Sequence, residues 1–499
     1  MTGKKAKKPA AALDRRRFVQ SVALAGAGLA LVEGCGQPQR LKPKELPSSP
    51  KPAAGPQPKA APKAEAPAAP AYDIKGEPIN LACIGVGLQG RDCLIDALMK
   101  FRMPVRFKAI CDIWDYNRDR TVKMLKKNGH PDAKGYADYQ DLLAQEKDVE
   151  AVIVATPDFM HAEHACACLK AGKNVYCEKV MSNTLEGARQ MVLTARETKR
   201  LLQIGHQRYS NPRYQHAVTK LLGEARLLGR ITHGYGQWNR AARPDLGYGK
   251  DLEIPPETLK KYGYANMQEF RNWRHYKKYG GGPITDLGAH QVGVFGWFLG
   301  VPPKAVIASG GVDYYKNHEW YDNVLAILEY ETPDGVTRVF YQTLTTTSAK
   351  GYFESLMGID GTMTISEDPG KCKIFSEGHL VPEKSGDPHP WEKWVQKKYL
   401  ARAKEEAEPK ADEAKGNDPN EALLAAYKSK PPVPWLLRVE LEQSFHLPHL
   451  YNFFSAIRTG TPLNCPPEVA YANTVTVLKI NDAVAAGRRV EFKPEEFTV

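Results

Sequence analysis

Residues 79–100 read INLACIGVGLQGRDCLIDALMK. The apolar start predicts a buried strand, and the residues after the last glycine are compatible with a helix. Between them, residues 85–90 form the pattern G-x-G-x-x-G, which in this context is typical of dinucleotide binding. Gly85 permits the tight turn, Gly87 lets the backbone approach a pyrophosphate, and Gly90 lets helix and strand pack closely. We therefore predict a nucleotide-binding turn here.

An acidic residue stands at the end of the next apolar run. VRFKAIC, residues 105–111, is followed by Asp112, 22 positions after Gly90. A carboxylate there accepts hydrogen bonds from an adenosine ribose and repels a 2′-phosphate, which favours NAD and leaves NADP as the second choice. Asp115 is an alternative ribose partner, and either acid could be a plain surface carboxylate.

Strands and helices continue to alternate along the chain. VEAVIVAT at 149–156 and NVYCEK at 174–179 predict buried strands with a helix between them. This order predicts an α/β fold with a doubly wound parallel sheet, whose ligands bind at the carboxyl ends of the strands. The predicted cofactor-binding residues share a place at the glycine turn or close to a strand end: Gly85, Gly87, Leu88, Gln89, Gly90, Asp112, Thr156, Pro157, His161, Glu178, Lys179 and Gln207.

Histidines and cysteines are dense in the same region. They are His161, His164, Cys166, Cys168 and Cys177. On a helix Cys166 and Cys168 point about 200° apart, and neither a C-x-x-C nor an H-x-x-x-H pair is present. We therefore predict buried thiols and no metal site.

The net charge of +12 is concentrated at the start of the chain. The first 75 residues hold 14 lysines and arginines against 5 acidic residues, so the remaining 424 carry only +3. No basic stripe is left on the folded part, and we do not expect nucleic acid as a partner.

The basic start resembles an export signal. Residues 1–36 contain the twin arginine Arg15 and Arg16, then Phe18 and an apolar run too short to span a bilayer comfortably. This pattern predicts the twin-arginine route, which exports folded proteins, and a periplasmic or outer-surface location. Cys35 lies in a stretch similar to a lipoprotein cleavage site. If the protein contacts the membrane, we expect it to do so through a lipid anchor on Cys35. A disordered basic tail is the alternative.

The rest of the chain divides by composition. Residues 37–75 are rich in proline, alanine and lysine and predict an extended linker. Residues 76–203 are the predicted Rossmann domain, and residues 204–495 form a second domain with a charged insertion at about 366–440. The insertion is either partly disordered or a cover over the site. The eight cysteines beyond the signal predict mostly free, buried thiols.

Several segments together resemble the glucose-fructose oxidoreductase, inositol dehydrogenase and rhizopine catabolism family (Gfo/Idh/MocA). They are GVGLQG, AICD, ATPDFMHAEHA, GKNVYCEKV, GHQRYSNPRY, NWRHYKKYGGGPITDLGAHQ and NFFSAIRTGTPLNCPPEVAY. The resemblance implies a second α/β domain with a large open, mostly antiparallel sheet, which often mediates oligomers in this family, so we expect a homodimer or homotetramer. It also implies NAD(P)-dependent oxidation or reduction of a sugar or cyclic polyol.

The resemblance also points to catalytic residues. Lys179 matches the lysine of the family's E-K-P motif, and Asp286 and His290 match its D-x-x-x-H pair. The family's proline is Val180 here, a change that can alter how Lys179 is aimed. On a helix, positions four apart share a face, so Asp286 and His290 could act on one bound molecule.

Oxidation of a secondary alcohol needs a hydride acceptor, a base and positive charge near the oxygen. We assign His290 as the base, because imidazole titrates near physiological pH. Lys179 would stabilise the oxygen, and Asp286 would orient His290 or grip a neighbouring hydroxyl. The alternatives are a helix N-terminal acid, a core histidine and a surface lysine.

Three further residues are predicted substrate contacts. Arg208 follows the apolar run LLQIG, and Trp273 and Arg274 precede the triple glycine at 280–282. Such side chains suit the CH faces and hydroxyls of a polyol.

The sequence therefore predicts an exported NAD(P)-dependent sugar or polyol dehydrogenase with a tightly bound cofactor. One alternative is an NAD-dependent enzyme that cleaves glycosides by transient oxidation and elimination. The other is a tethered sugar-binding protein without catalysis.

Overall fold

A computed structural model describes residues 74–384, 386–403, 430–437, 439, 441 and 444–499. The predicted signal with Cys35 lies outside the described residues, and so does the predicted linker up to residue 73. Within the described part of the chain, no helix is both long and apolar enough to cross a bilayer.

The first sheet has six strands in the order β3-β2-β1-β4-β5-β6, and every neighbouring pair is parallel. The strands are Ile79–Ile84 (β1), Val105–Cys111 (β2), Lys134–Tyr136 (β3), Ala151–Val154 (β4), Asn174–Cys177 (β5) and Leu202–Ile204 (β6). The side chains of the central strands β1 and β4 are buried on both faces, as helices on both sides of a parallel sheet require. The predicted doubly wound sheet is confirmed.

Helices connect these strands. The π-helical stretch Leu88–Ile95 runs into Asp96–Lys100, and the others are Asp115–Lys127, Tyr139–Gln145, His161–Lys170 and Leu185–Thr198. Leu185–Thr198 shows why such a segment is helical. The Thr184 hydroxyl caps it by accepting a hydrogen bond from the Gly187 N–H (3.2 Å). Its residues at 188, 191, 192 and 195 form one buried face.

The second sheet has ten strands in the order β14-β15-β13-β12-β11-β7-β10-β9-β8-β16. All pairs are antiparallel except β7 with β10, which confirms the predicted open, mostly antiparallel sheet. The strands are Ile231–Asn239 (β7), Pro303–Gly311 (β8), Asn323–Thr332 (β9), Gly335–Leu344 (β10), Tyr352–Gly358 (β11), Gly361–Ile365 (β12), Lys373–Ser376 (β13), Ala401–Arg402 (β14), Val433–Leu436 (β15) and Val490–Glu491 (β16).

The described part of the predicted insertion, 366–440, extends this sheet. Strands β13, β14 and β15 form one edge of it. Residues 404–429 lie outside the described residues. Along β9, buried and more exposed positions alternate, so one face of the sheet packs on helices and the other is open.

The helical segments of the second domain are mostly short. They are Pro212–His216, the π-helical Ala217–Glu224, Pro256–Lys261, Met267–Arg271, the π-helical Ile284–Gly288, Ala289–Leu299, Glu392–Gln396, Leu447–Thr459 and Pro467–Ala486. The helix Leu447–Thr459 belongs to the second domain by its place in the sequence, but it packs on the first domain. Its Leu450, Phe453 and Phe454 are fully buried in the core that surrounds β1.

A buried ion pair joins the segment that follows β6 to the second sheet. The Arg208 guanidinium donates to the Glu354 carboxylate in β11, and both side chains are at most 2% exposed. Tyr214 Oη donates to Glu354 (2.8 Å), and Arg208 Nη2 donates to Glu367 (3.2 Å). Removing one member of such a pair leaves an uncompensated charge in the core.

We predict that Glu354→Ala lowers the free energy of unfolding by about 3–5 kcal/mol, because Arg208 loses its main partner. Urea titration followed by circular dichroism measures this. The control is Glu331→Ala, which removes the partner of Lys304 in an exposed ion pair and should change stability little. Equal, small losses in both variants would contradict the structural role of Arg208.

Candidate active site

A cavity of about 880 Å³ runs along the carboxyl ends of the parallel strands, between the first sheet and the second domain. Gly87 and Asp112 line one end, and Lys179, Asp286 and His290 line the other. Its volume is in the upper range of small-molecule sites.

The glycine turn fits a pyrophosphate. Gly85 has φ +87°, and a Cβ there would lie 2.7 Å from the backbone of Ala155. A Cβ on Gly90 would lie 2.0 Å from the Gly85 carbonyl oxygen, so Gly90 is needed for packing. A Cβ on Gly87 would meet no atom within 4 Å, so its backbone faces open space. This open space beside a helix start is where a phosphate group could bind.

Asp112 is positioned by the backbone. Its Oδ2 accepts the Val86 N–H and its Oδ1 accepts the Trp114 N–H, both at 2.9 Å. Burial raises the pKa of this carboxyl. Asp112 lines the cavity, whereas the Asp115 side chain is 75% exposed and paired with Arg118. The structure therefore places Asp112, rather than Asp115, where a ribose would bind.

The structure brings the other predicted cofactor residues to the same cavity. Leu88, Gln89, Thr156, Pro157, His161, Glu178, Lys179 and Gln207 are all in its wall. Glu178 accepts hydrogen bonds from Gln89 (2.9 Å) and Gln207 (3.4 Å). Gly90 lies behind the wall and acts through packing.

The histidines and cysteines of the first domain have local roles. The ring nitrogens of His161 lie 2.7 and 2.8 Å from the carbonyl oxygens of Val180 and Thr156. His164 Nδ1 lies 3.1 Å from Thr156 Oγ1. The eight cysteines of the described residues are free, and six are buried, as predicted.

A different trio comes nearest to a metal-site arrangement in the part of the chain that is described: Asp245, His275 and His318. His318 Nε2 is 2.9 Å from Asp245 Oδ1. The two imidazole rings stack 3.7 Å apart at 6°, so one ion cannot lie in both ring planes. This geometry suits a hydrogen-bonded stack better than a metal centre.

Lys179 and Asp286 meet on the cavity floor. Lys179 Nζ donates to Asp286 Oδ1 (3.2 Å) and to the main-chain carbonyl oxygen of Asp286. Arg274 Nε is 3.3 Å from Oδ1, and Arg240 Nη1 is 3.8 Å from Oδ2. Burial alone would raise the pKa of Asp286, but these three cations hold it well below its usual range. The Lys179–Val180 peptide bond is cis.

His290 lies one helical turn further on. Asp286 belongs to Ile284–Gly288, and His290 to Ala289–Leu299. The His290 ring packs on Trp238, with 5.4 Å between ring centroids. Burial and the nearby cations, first Lys179, lower the pKa of His290 well below its ordinary value. The lowered pKa keeps the His290 imidazole neutral at physiological pH.

One of the two expected roles of Asp286, orienting His290, is not seen in the structure, and the other, gripping a substrate hydroxyl, stays a prediction. In the described part of the chain, the partners of its carboxylate are Lys179, Arg274 and Arg240, and it holds Lys179 rather than His290.

Two of the three predicted substrate contacts lie in the cavity wall, and one does not. Trp273 and Arg274 line the cavity, and the Arg274 guanidinium lies 4.2 Å from the centre of the Trp273 ring. The prediction for Arg208 is corrected: it is 1% exposed, its guanidinium is bound by Glu354 and Glu367, and it lies outside the wall. A polar residue after a strand can be drawn into the core by a distant carboxylate.

The sequence did not indicate several residues of the wall, among them Asp158, Trp238, Arg240, Arg243 and His446. Burial raises the pKa of Asp158 to about 7, although the nearby cations Lys179 and Arg274 act in the opposite direction. It directly follows Thr156 and Pro157, so its place near the carboxyl end of β4 could have indicated it. His446 contacts Gln89 (3.1 Å) from a distant part of the chain, and no local motif indicates it.

Two family models match the chain. The oxidoreductase family model with an NAD-binding Rossmann fold covers residues 79–206, and the GFO/IDH/MocA C-terminal domain covers residues 220–364. Together they span more than half of the chain. The chain belongs to the Gfo/Idh/MocA family. This Gfo/Idh/MocA protein therefore has an NAD-binding Rossmann domain, as the glycine turn indicates.

Curated relatives agree with this. The chain is 25% identical over 284 residues to 1,5-anhydro-D-fructose reductase from Ensifer adhaerens, covering 50% of this chain and 76% of that protein. It is 29% identical over 235 residues to a glycosyl hydrolase family 109 protein from Stenotrophomonas maltophilia strain K279a, covering 44% of this chain and 50% of that one. The match thus spans only half of that second relative.

Among solved structures, levoglucosan dehydrogenase in complex with NADH and L-sorbose aligns with a TM-score of 0.58 at 16% identity. The alignment covers 84% of this chain and 100% of that one. At this identity the likeness concerns the fold of the Gfo/Idh/MocA protein alone.

We predict that alanine at one glycine of the turn weakens NAD binding and that alanine at another destabilises the fold. Gly87→Ala should leave the unfolding temperature of the NAD-free protein unchanged but weaken NAD binding about tenfold or more, because its methyl group enters open space. Gly90→Ala should destabilise the fold by about 1–3 kcal/mol through overpacking. Calorimetry and NAD titration measure both. Full NAD affinity in Gly87→Ala would show that no phosphate approaches this residue.

Proposed function

We propose that this protein is an exported NAD(P)-dependent oxidoreductase that transfers a hydride between a tightly bound nicotinamide and a secondary hydroxyl of a sugar or cyclic polyol. The observation that carries the proposal is the meeting of Lys179, Asp286 and His290 at the end of the nucleotide cavity.

Each of these residues has a chemical task. NAD, when bound, supplies the hydride acceptor. His290, neutral because of burial and neighbouring charge, takes the hydroxyl proton at an imidazole nitrogen. The Lys179 ammonium stabilises the oxygen as negative charge develops on it. Asp286 fixes that ammonium through its carboxylate and its carbonyl oxygen.

Aromatic rings favour a sugar. Trp238 stacks on Tyr352 with 4.5 Å between ring centroids and 22° between planes. Both rings line the cavity beside His290, as does Trp273. Aromatic faces pack on the CH groups of a sugar ring while polar groups bind its hydroxyls. The similarity to 1,5-anhydro-D-fructose reductase supports the same substrate class.

A segment of the second domain supports tight cofactor binding. Residues 245–279 pack on the first domain near Asp112, where Trp114, Ile254, Tyr264 and Tyr279 share a buried cluster. Trp114 Nε1 donates to the Leu252 carbonyl oxygen (2.6 Å). A cofactor held under this segment would stay with the protein while it is exported in the folded state. We propose a periplasmic or outer-surface location, with a lipid anchor at Cys35.

The open face of the second sheet supports a homodimer or homotetramer. Ile307 of β8 and Ile327 of β9 are paired neighbours and are 47% and 41% exposed, and Leu325 of β9 is 39% exposed. A patch of exposed large apolar residues on a sheet face favours association with a second copy.

A second function is supported by the glycosyl hydrolase family 109 relatives. In that route, transient oxidation by bound NAD would allow elimination of a sugar substituent before reduction. Deuterium from solvent would then enter the carbon beside the oxidised centre without net NADH. Net NADH without such exchange would favour the dehydrogenase.

The main proposal is tested on the purified protein. Denaturation should release about one nicotinamide per chain, and a suitable sugar should reduce the bound NAD. His290→Ala should keep the nicotinamide and slow the reduction about a hundredfold or more. Because the pKa of His290 is lowered, the wild-type rate should not fall as the pH drops through about 6.5, the pKa of free imidazole.

The matched control is His379→Ala, since His379 is exposed and paired with Asp360; its rate should equal the wild-type rate. A cofactor-free preparation with weak NAD affinity would contradict the bound cofactor. Unchanged turnover in His290→Ala would overturn both enzymatic assignments.

A further inference from the structure

The substrate end of the cavity carries an excess of positive charge. Four cations line it: Lys179, Arg240, Arg243 and Arg274. Its carboxylates are Asp158, Glu178, Asp286, Asp322 and Glu367.

Two of these carboxylates are already used. Asp322 accepts hydrogen bonds from the backbone N–H groups of Tyr314 (2.7 Å) and Tyr315 (3.1 Å). Glu367 accepts one from the buried Arg208. The other three, Asp158, Glu178 and Asp286, therefore face four cations. Within the described residues, Asp286 is the carboxylate that approaches Arg240 and Arg274, at 3.8 and 3.3 Å. The oxidised nicotinamide ring, itself a cation, would add to the excess.

The arginine cluster, Arg240, Arg243 and Arg274, has free donor groups. Within the described residues, the guanidinium groups of Arg240 and Arg243 donate no hydrogen bond, and Arg240 approaches Asp286 only to 3.8 Å. Arg274 uses only its Nε toward Asp286. Burial lowers the pKa of Arg240, and Arg243 and Arg274 lower it further against the opposing effect of Asp286. The three groups thus repel one another. Within the described residues they share one counter-ion, Asp286, which approaches Arg274 and Arg240, and no carboxylate forms an ion pair with Arg243.

The backbone holds the arginine cluster in place. Arg240 follows β7, and its N–H donates to the Leu344 carbonyl oxygen (2.8 Å). The Arg243 N–H donates to Tyr315 Oη (2.9 Å), and that hydroxyl donates to the Arg243 carbonyl oxygen (3.2 Å). The Arg240 guanidinium lies over Trp238, 6.0 Å from its centre. These bonds fix the main chain of Arg240 and Arg243 and so limit where their side chains can reach, which lowers the entropic cost of binding an anion.

We propose that the substrate is an anionic sugar, whose carboxylate, sulfate or phosphate group binds to Arg240, Arg243 and Arg274. The inference rests on the proposed function and names its substrate class. The planar guanidinium group binds such oxyanions through paired hydrogen bonds. Asp286 contacts both Lys179 and the arginine cluster, so the anionic group lies within one sugar ring of the reacting hydroxyl.

The cofactor phosphates are the competing ligand. The glycine turn that fits the pyrophosphate follows β1 and bonds to Asp112 through the Val86 N–H, whereas Lys179 follows β5, two strands away. The arginine cluster surrounds Trp238 and Asp286, next to His290. Its position therefore favours the sugar over the cofactor.

The test uses the protein with its bound NAD. Glucose, galactose and mannose are each compared with the matching uronate, sulfate monoester and phosphate monoester. Affinity is measured from the ligand-induced rise in unfolding temperature, and turnover from reduction of the bound NAD. At least one anionic sugar should bind about tenfold or more tightly than its neutral parent, and the best arm identifies the anionic group.

Arg243→Gln and Arg274→Gln should each reduce that preference about tenfold or more. Both side chains are exposed, so these variants are expected to fold, which circular dichroism and NAD content check. The control is Arg338→Gln, on the sheet surface and paired with Glu329, which should keep the preference.

Equal affinity for neutral and anionic sugars would overturn the inference, even if neutral sugars reduce the bound NAD and the proposed function stands. Loss of bound NAD in the two variants with the preference intact would also overturn it, since the arginine cluster would then serve the cofactor. Anion preference without any reduction of NAD would uphold the inference and reject the redox function.

Discussion

The bond between Lys179 and Asp286 is the interaction on which the site depends. Lys179 comes just after β5 of the first sheet, and Asp286 lies 107 residues later, in the second domain. Their meeting closes the cavity floor and joins the nucleotide end to the sugar end. A half-buried pair of this kind costs desolvation, so it is better explained by the charge it positions than by the stability it adds.

The same charges set the proton chemistry. Lys179 keeps Asp286 ionised, and together with burial it keeps His290 neutral. A neutral base beside a fixed cation can remove a proton from a hydroxyl while the cation stabilises the oxygen left behind. Enzymes commonly separate acid and base roles by placing titratable groups in such different surroundings. In this protein Lys179 lowers the pKa of both groups. Arg274 and Arg240 add to its effect on Asp286, and burial is the larger cause for His290.

Features set by local sequence could be predicted, and features set by distant contacts could not. The glycine turn, Asp112 and the strand ends follow from spacing, because parallel strands deliver their carboxyl ends to one edge. Arg208 looked like a site residue because it follows a strand, but its partner Glu354 is 146 residues away. Trp238 and His446 reach the cavity through tertiary packing, and nothing in their neighbouring sequence indicates it. The partner of Asp286 was missed for the same reason.

The most direct test of the central claim, that Lys179 and Asp286 act as one unit, is a double-mutant cycle on the rate at which a sugar reduces the bound NAD. The variants are Lys179→Met, Asp286→Asn and the double substitution, each with its NAD content verified. We predict that the double variant is about as slow as Lys179→Met alone, because Asp286 acts by holding Lys179. If the two losses multiply instead, Lys179 and Asp286 act independently, and the claim that they form one catalytic unit is contradicted.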